Sequence, residues 1–213
     1  MLMGIWLRAP LESLVPYERL CAKVPKERDG LIRKIMVAYF SFGGYRRLNL
    51  AIDDHDVPGV EQALKEGTNP DQQVEREGDT LLIDVCMGHS SHSCEIAKLL
   101  LEHGANPNRK DDAGCTALMY ATRDYSGKLP LLLLQHGADL NLKDNEGNTA
   151  LFHAVLLTNV KTIQLLLQSG AKIGDVNSSG RTALDLAKRY NPKKTVDLLE
   201  IVLSQSATNK NNR

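Results

Sequence analysis

The chain has 213 residues, 42% of them hydrophobic and 24% charged, a composition typical of a globular protein with one continuous core. Lysine plus arginine equals aspartate plus glutamate at 26 each, so no basic excess argues for a nucleic acid or an anionic membrane as partner. No apolar run approaches the roughly 18 residues that a membrane span requires.

The beginning of the chain and the cysteine content indicate where the protein works. The first apolar stretch is broken by Arg8 and Pro10 and has no basic segment before it, which argues against a signal peptide. The four cysteines have no framework spacing, and this favours a reducing compartment. We therefore expect an intracellular, cytoplasmic protein, with the nucleus as an open alternative.

Residues 1–43 form a segment of their own. They carry no repeat, but two short stretches have apolar residues at helical spacing. A solenoid needs its terminal hydrophobic face covered, so we predict a helical N-terminal cap. The alternative is a separate docking helix pair that uses Trp6, Tyr17 and Phe40.

A 33-residue repeat follows, and Gly114, Gly147 and Gly180 open its clearest copies. A fixed period of this size is the signature of a solenoid. In each copy a threonine precedes a short apolar-periodic run, a leucine-rich run comes next, and a polar connection rich in Asn and Asp ends the unit. We predict helix, turn, helix and an extended hairpin-like loop.

Two residue types are expected to bound these helices. The threonine is at an N-cap position, where its side-chain oxygen would accept a hydrogen bond from the first turn. The candidates are Thr116, Thr149 and Thr182. The leucine-rich helices end at a glycine that we expect to have a positive φ, namely Gly104, Gly137 and Gly170.

The predicted domain boundaries follow from this register. The repeat domain covers residues 44–204, the first repeat is divergent, and the second has three extra residues between its helices. The last helix carries polar residues typical of a C-terminal cap, and the polar tail at 205–213 is predicted to be disordered. The five repeats are 44–77, 78–113, 114–146, 147–179 and 180–204.

At residues 44–204 the chain resembles the ankyrin repeat family. The resemblance rests on G-x-T-A-L, on L-L-L-x-x-G-A, and on N-x-x-D-x-x-G, which is Asn108, Asp111 and Gly114 in one loop. It implies an all-α ankyrin-repeat solenoid of helix-turn-helix units with hairpin-like loops. The family's Pro-Leu-His after the threonine is absent here, so its internal histidine hydrogen bonds are not expected.

The resemblance also implies that a protein partner binds the concave face, which the first helices and the loop tips line. Tyr and Arg, frequent at binding hot spots, occur at these positions, although Tyr125 and Tyr190 could instead cover helix ends and Leu157 could pack on the neighbouring repeat. We predict a monomeric scaffold, adaptor or inhibitor without catalysis or cofactor. The candidate residues at the helix ends are Arg123, Asp124, Tyr125, Leu156, Leu157, Asn159, Arg189 and Tyr190, and those at the loop tips are Lys110, Asp112, Lys143, Asn145 and Arg181.

One run could carry chemistry instead. Cys86, His89, His92 and Cys94 are zinc-ligand types, but their spacing matches no established zinc pattern and Cys86 is expected to be buried between helices. We predict no metal there. A small enzyme or metal-binding protein that uses this run is an alternative hypothesis, and a pathogen-derived effector aimed at a host protein is another.

Two further residues carry groups that could take part in chemistry. His153 is expected to be a core histidine whose hydrogen bonds are satisfied. Cys115 is expected to be an accessible thiol without a basic neighbour to activate it.

Overall fold

The computed structural model describes residues 47–71, 79–88, 90–190, 193, 195–197 and 199–201. The predicted N-terminal cap at 1–43 and the predicted disordered tail at 205–213 lie outside these residues, as does His89.

The described residues form short helices that come in pairs along the chain. Residues 47–53 are helical and precede helix α1, and residues 195–197 and 199–201 are helical after the last named helix. The named helices are α1 (Val57–Lys65), α2 (Leu81–Met87), α3 (Ser93–Glu102), α4 (Ala117–Ala121), α5 (Lys128–Gln135), α6 (Ala150–Leu156), α7 (Val160–Gln168) and α8 (Ala183–Tyr190). No strand occurs in the described part of the chain, so the all-α prediction is confirmed.

The helices stack in two rows. Helices α2, α4, α6 and α8 contact one another in that order and form an inner row, while α1, α3 and α5 form an outer row. The pairs α2–α3, α4–α5 and α6–α7 also pack together. Fully buried alanines, Ala121, Ala154 and Ala187, recur along the inner row. Because their side chains are small, the neighbouring helices can approach closely.

The N-cap prediction is right about position and partly wrong about bonding. Thr182 Oγ1 accepts a hydrogen bond from the N–H of Asp185 at 3.2 Å, as expected of an N-cap. Thr116 and Thr149 occupy N-cap positions without such a side-chain bond. Their backbone carbonyls accept the early N–H groups instead, for example that of Met119 at 3.0 Å from Thr116 O. A tight 3₁₀-type first turn therefore replaces the side-chain cap.

Side chains from one hairpin bond to the backbone of the next. Lys110 Nζ donates to the carbonyl of Lys143 at 2.6 Å, and Lys143 Nζ donates to the carbonyl of Val176 at 2.9 Å. In the opposite direction, Asn145 Nδ2 donates to the carbonyl of Asp112 at 2.8 Å. We call these bonds the hairpin ladder. They fix the spacing of successive hairpins by joining residues that are 33 positions apart.

A second set of bonds joins the inner helices to the hairpins that precede them. Tyr120 in α4 donates its hydroxyl hydrogen to Asp111 Oδ2 at 2.7 Å. His153 in α6 is hydrogen-bonded through Nε2 to Asp144 Oδ2 at 2.9 Å. The expectation that His153 has a hydrogen-bond partner is confirmed. These pairs anchor helix to hairpin without the family's Pro-Leu-His sequence.

Candidate protein-binding face

The inner helices end in a row of exposed apolar and aromatic side chains. Leu156 ends α6 and is 46% exposed, while Tyr125 in the turn after α4 is 63% exposed. Met87 at the end of α2 and Tyr190 at the end of α8 are also exposed. Because the four inner helices stack side by side, these ends lie in sequence across neighbouring repeats. We call Met87, Tyr125, Leu156 and Tyr190 the apolar row.

Two arginines lie beside this row. The guanidinium of Arg123 is 5.7 Å from the centre of the Tyr120 ring, and that of Arg189 is 5.1 Å from the centre of the Tyr190 ring. Both arginines are exposed, so cation–π contact orients them without removing them from solvent. The face therefore presents positive charge next to aromatic surface.

Asp124 organises the turn that carries Tyr125. Its carboxylate accepts hydrogen bonds from the N–H of Leu129 at 2.9 Å and of Ser126 at 2.8 Å. Burial acts to raise the pKa of Asp124, but these hydrogen bonds outweigh it and hold the pKa below its usual value. Asp124 is therefore a fixed anion within the turn, and it shapes the face more than it extends from it.

The structure corrects the prediction that Asn159 lines the binding face. Its side chain is only 2% exposed. Nδ2 donates to the carbonyls of Thr122 at 2.8 Å and Asp124 at 3.0 Å, and Oδ1 accepts from the N–H of Thr162 at 3.1 Å. Asn159 caps α7 and ties it to the preceding repeat, because an amide can donate and accept at once.

Tyr125 and Leu157 are connected across the same repeat boundary. The Tyr125 hydroxyl donates to the carbonyl of Leu157 at 3.2 Å, and the Leu157 side chain is half-buried. The phenol is thus held at one end while most of the ring remains in solvent. A side chain restrained in this way loses little conformational freedom on binding.

The predicted loop-tip residues lie on the hairpins. Lys110, Asp112, Asn145 and Arg181 are exposed and Lys143 is half-buried. The donors of Lys110, Lys143 and Asn145 are the ones used in the hairpin ladder. These three side chains therefore stabilise the hairpins, while Asp112 and Arg181 extend into solvent.

The thiols of the described residues are poorly suited to nucleophilic chemistry. Cys86 is buried, as expected, and burial raises the pKa of its thiol far above the usual value. For Cys115, burial and then the charges of Asp111 and Asp144 raise the pKa to about 11. Because the thiolate is the reactive form, both thiols are protonated and unreactive near neutral pH.

The possible zinc run does not converge among its described members. Cys86, His92 and Cys94 do not belong to the group of ligand atoms that the described residues bring together. His92 Nδ1 instead lies 3.1 Å from the hydroxyl of Ser91.

In the described part of the chain, no helix combines the length and apolar character needed to span a bilayer.

Comparison with known protein families identifies the family that has this architecture. A family model for ankyrin repeats (3 copies) matches residues 48–144 and again residues 124–212. These matches cover well over half of the chain, and the chain belongs to the ankyrin repeat family. Ankyrin repeats are generally protein-interaction modules, and the fold is typically non-catalytic. No curated protein sequence matches this chain.

Proposed function

We propose that this protein is a monomeric binding module, a scaffold, adaptor or inhibitor, that holds a protein partner on its concave face and catalyses no reaction. The observation that carries the proposal is the apolar row with the two arginines beside it. Exposed apolar patches with a polar rim mark interaction sites, and Tyr and Arg are the side chains that dominate hot spots.

The face indicates the chemistry of the partner. Tyr125, Leu156 and Tyr190 offer apolar contact area, and Arg123 and Arg189 offer planar donors that suit carboxylates. The Asp124 carboxylate is already occupied by hydrogen bonds within its own turn. We therefore propose that the partner surface combines apolar side chains with Asp or Glu.

We also propose a cytoplasmic location. The three cysteines in the described part of the chain, Cys86, Cys94 and Cys115, are free thiols. Free thiols persist in a reducing compartment, and this supports the proposal.

A matched pair of single substitutions tests the binding face. Leu156→Glu places a charge in the apolar row, and Leu131→Glu places the same charge on the outer helix α5 at nearly equal exposure, 46% against 43%. We expect a partner captured by wild-type protein from cell lysate, and identified by mass spectrometry, to be lost with Leu156→Glu. Its affinity, measured by calorimetry, should fall at least tenfold, while Leu131→Glu retains it.

A combined variant extends the test across repeats. Arg123→Glu, Tyr125→Ala, Leu156→Glu and Tyr190→Ala together should abolish capture, after circular dichroism confirms the helical fold. A partner that survives all four changes and is lost on deletion of residues 1–30 would contradict the proposal. In that case the N-terminal segment would be the binding part and the repeats its support.

A further inference from the structure

Three side chains from two successive repeats bring metal-ligand atoms together. The Sγ of Cys115, a carboxylate oxygen of Asp144 and an imidazole nitrogen of His153 all lie within 4.8 Å of one another. Thiolate, carboxylate and imidazole are the three ligand types that zinc accepts in proteins. We propose that Cys115, Asp144 and His153 form a zinc site that joins the third repeat to the fourth.

The repeat register explains why these residues converge. Cys115 opens the third repeat, where its N–H bonds to Asp111 Oδ1 at 2.8 Å, and one period later Asn148 bonds to Asp144 in the same way, also at 2.8 Å. Stacking places the start of the third repeat against the hairpin that ends this repeat and against the inner helix of the fourth. A cysteine at this position therefore faces the Asp144–His153 pair.

The chain contains an internal comparison for two of the three ligands. Asn148 occupies the position equivalent to Cys115, and Tyr120 the position equivalent to His153. Tyr120 makes the same helix-to-hairpin bond, to Asp111 at 2.7 Å, with a hydroxyl. A tyrosine can therefore anchor the inner helix to the hairpin, and this role does not require an imidazole. The fourth repeat differs because His153 places a nitrogen ligand next to the thiol of Cys115.

The geometry requires little adjustment to hold an ion. Ligand atoms around tetrahedral zinc lie about 3.3 to 3.6 Å apart, given metal–ligand bonds of about 2.0 to 2.3 Å. His153 Nε2 and Asp144 Oδ2 are already 2.9 Å apart. To hold an ion these two atoms would have to separate by about 0.5 Å, while Cys115 Sγ, within 4.8 Å of both, would have to approach them by about 1.5 Å at most. Three protein ligands leave the fourth position for water.

The surroundings support the site in two ways. The other oxygen of Asp144 accepts hydrogen bonds from the N–H groups of Glu146 at 2.9 Å and Asn148 at 2.8 Å, and such contacts orient a ligating carboxylate. The side chains of Asp144 and His153 are only 6% and 28% exposed.

Metal titration of the full chain tests the proposal. Chelator-treated protein is titrated with ZnCl₂ against a chromophoric competitor, and separately with CoCl₂ while the thiolate-to-cobalt absorption is recorded. We expect one equivalent of zinc, a cobalt–thiolate band, and a rise in Tm on zinc addition, since a ligand that binds only the folded state stabilises it.

The variants are taken from the chain's own repeats so that folding is preserved. Cys115→Asn and His153→Tyr install the residues found at the equivalent positions, and the tyrosine can keep the hydrogen bond to Asp144. Each should lower zinc affinity at least tenfold and abolish the zinc-dependent rise in Tm. Cys115→Asn should also remove the cobalt–thiolate band. Cys94→Ser, at another partly buried thiol, should leave all three readouts unchanged.

Several outcomes would overturn the zinc site. Absence of stoichiometric zinc binding would do so, as would affinity that is unchanged in Cys115→Asn or His153→Tyr. Loss of binding in Cys94→Ser would assign the metal to the run from Cys86 to Cys94 and contradict the proposal equally.

Discussion

At the scale of single residues, Asn159 shows how one side chain can hold two repeats in register. Asn159 is buried, and its side chain makes three hydrogen bonds, two to backbone carbonyls and one to a backbone N–H. A buried carbonyl or N–H that loses its partner costs about 1 to 3 kcal/mol. An amide is the side chain that provides two donors and an acceptor together, so even an isosteric acid cannot replace it.

We expect Asn159→Asp to be more damaging than Asn159→Ala. The acid would point an oxygen at the carbonyls of Thr122 and Asp124, turning two attractions into repulsions inside the protein. The free energy of unfolding from urea titration should fall by about 3 kcal/mol or more for the acid and by about 2 kcal/mol for alanine.

Asn145→Asp is the matched control for this substitution. Asn145 is exposed and donates one side-chain bond, to the carbonyl of Asp112, so its loss should cost less than about 1 kcal/mol. Equal losses at positions 145 and 159 would show that Asn159 does not join the repeats as described.

At the scale of the element, the hairpins depend on close contact with one another. Gly147 has φ +79°, and a Cβ built there would lie 2.8 Å from the backbone nitrogen of Ser178 in the next hairpin. Gly137, after helix α5, has a similar φ of +83° but no atom within 4 Å of such a Cβ. The two glycines have the same conformational requirement and differ in whether a neighbouring hairpin is in contact.

Alanine substitutions at these glycines should separate strain from contact. Gly137→Ala carries the left-handed penalty alone, about 1 to 2 kcal/mol. Gly147→Ala adds a clash with the next hairpin and threatens the bond from the N–H of Ser178 to the carbonyl of Glu146. We expect a loss larger by about 1 to 2 kcal/mol, measured by thermal and urea unfolding. Equal losses would mean that the hairpins separate without cost.

At the scale of the whole molecule, stability should be graded along the array, because each repeat draws it from its neighbours. Helix α6 packs against α4, α7 and α8. The hairpin ladder joins the second repeat to the third and the third to the fourth, and only the latter boundary also has the bonds of Asn159. The second repeat has the extra residues between its helices, and the first is divergent.

Hydrogen exchange should reveal this gradient. We expect the amides of α4 to α7 to exchange most slowly and those of α1 to α3 to exchange earlier, since local opening follows the density of contacts. Mass spectrometry of peptic fragments measures the order. Slowest exchange in α2 or α3 would contradict the predicted gradient.

The sequence could predict the structural features that recur within each repeat, but fewer of the contacts between repeats. The positive φ of Gly104, Gly137 and Gly170 is confirmed, because that requirement is local to a helix end. The burial of Asn159 was missed, because its partners, the carbonyls of Thr122 and Asp124, belong to another repeat.

The same limit explains two further findings. The bond of Lys110 to the carbonyl of Lys143 crosses a repeat boundary, and so does the meeting of Cys115 with His153. Neither is visible in a single unit. Both contacts could have been found from the sequence by aligning successive repeats in register. Each residue would then be compared with the residues that the next repeat places beside it.

The hairpin ladder also governs how such a chain can change in length. Lys110 bonds to the carbonyl of Lys143, and Lys143 to that of Val176. Excision of residues 111–143 would bring Val176 to the place of Lys143, and Lys110 would meet the same kind of acceptor. Removal of a single residue between Lys110 and Lys143 would leave this pair 32 positions apart and out of register, while the bond from Lys143 to Val176 would keep its spacing. The ladder thus requires repeats of constant length, a condition that the duplication or loss of a complete unit preserves.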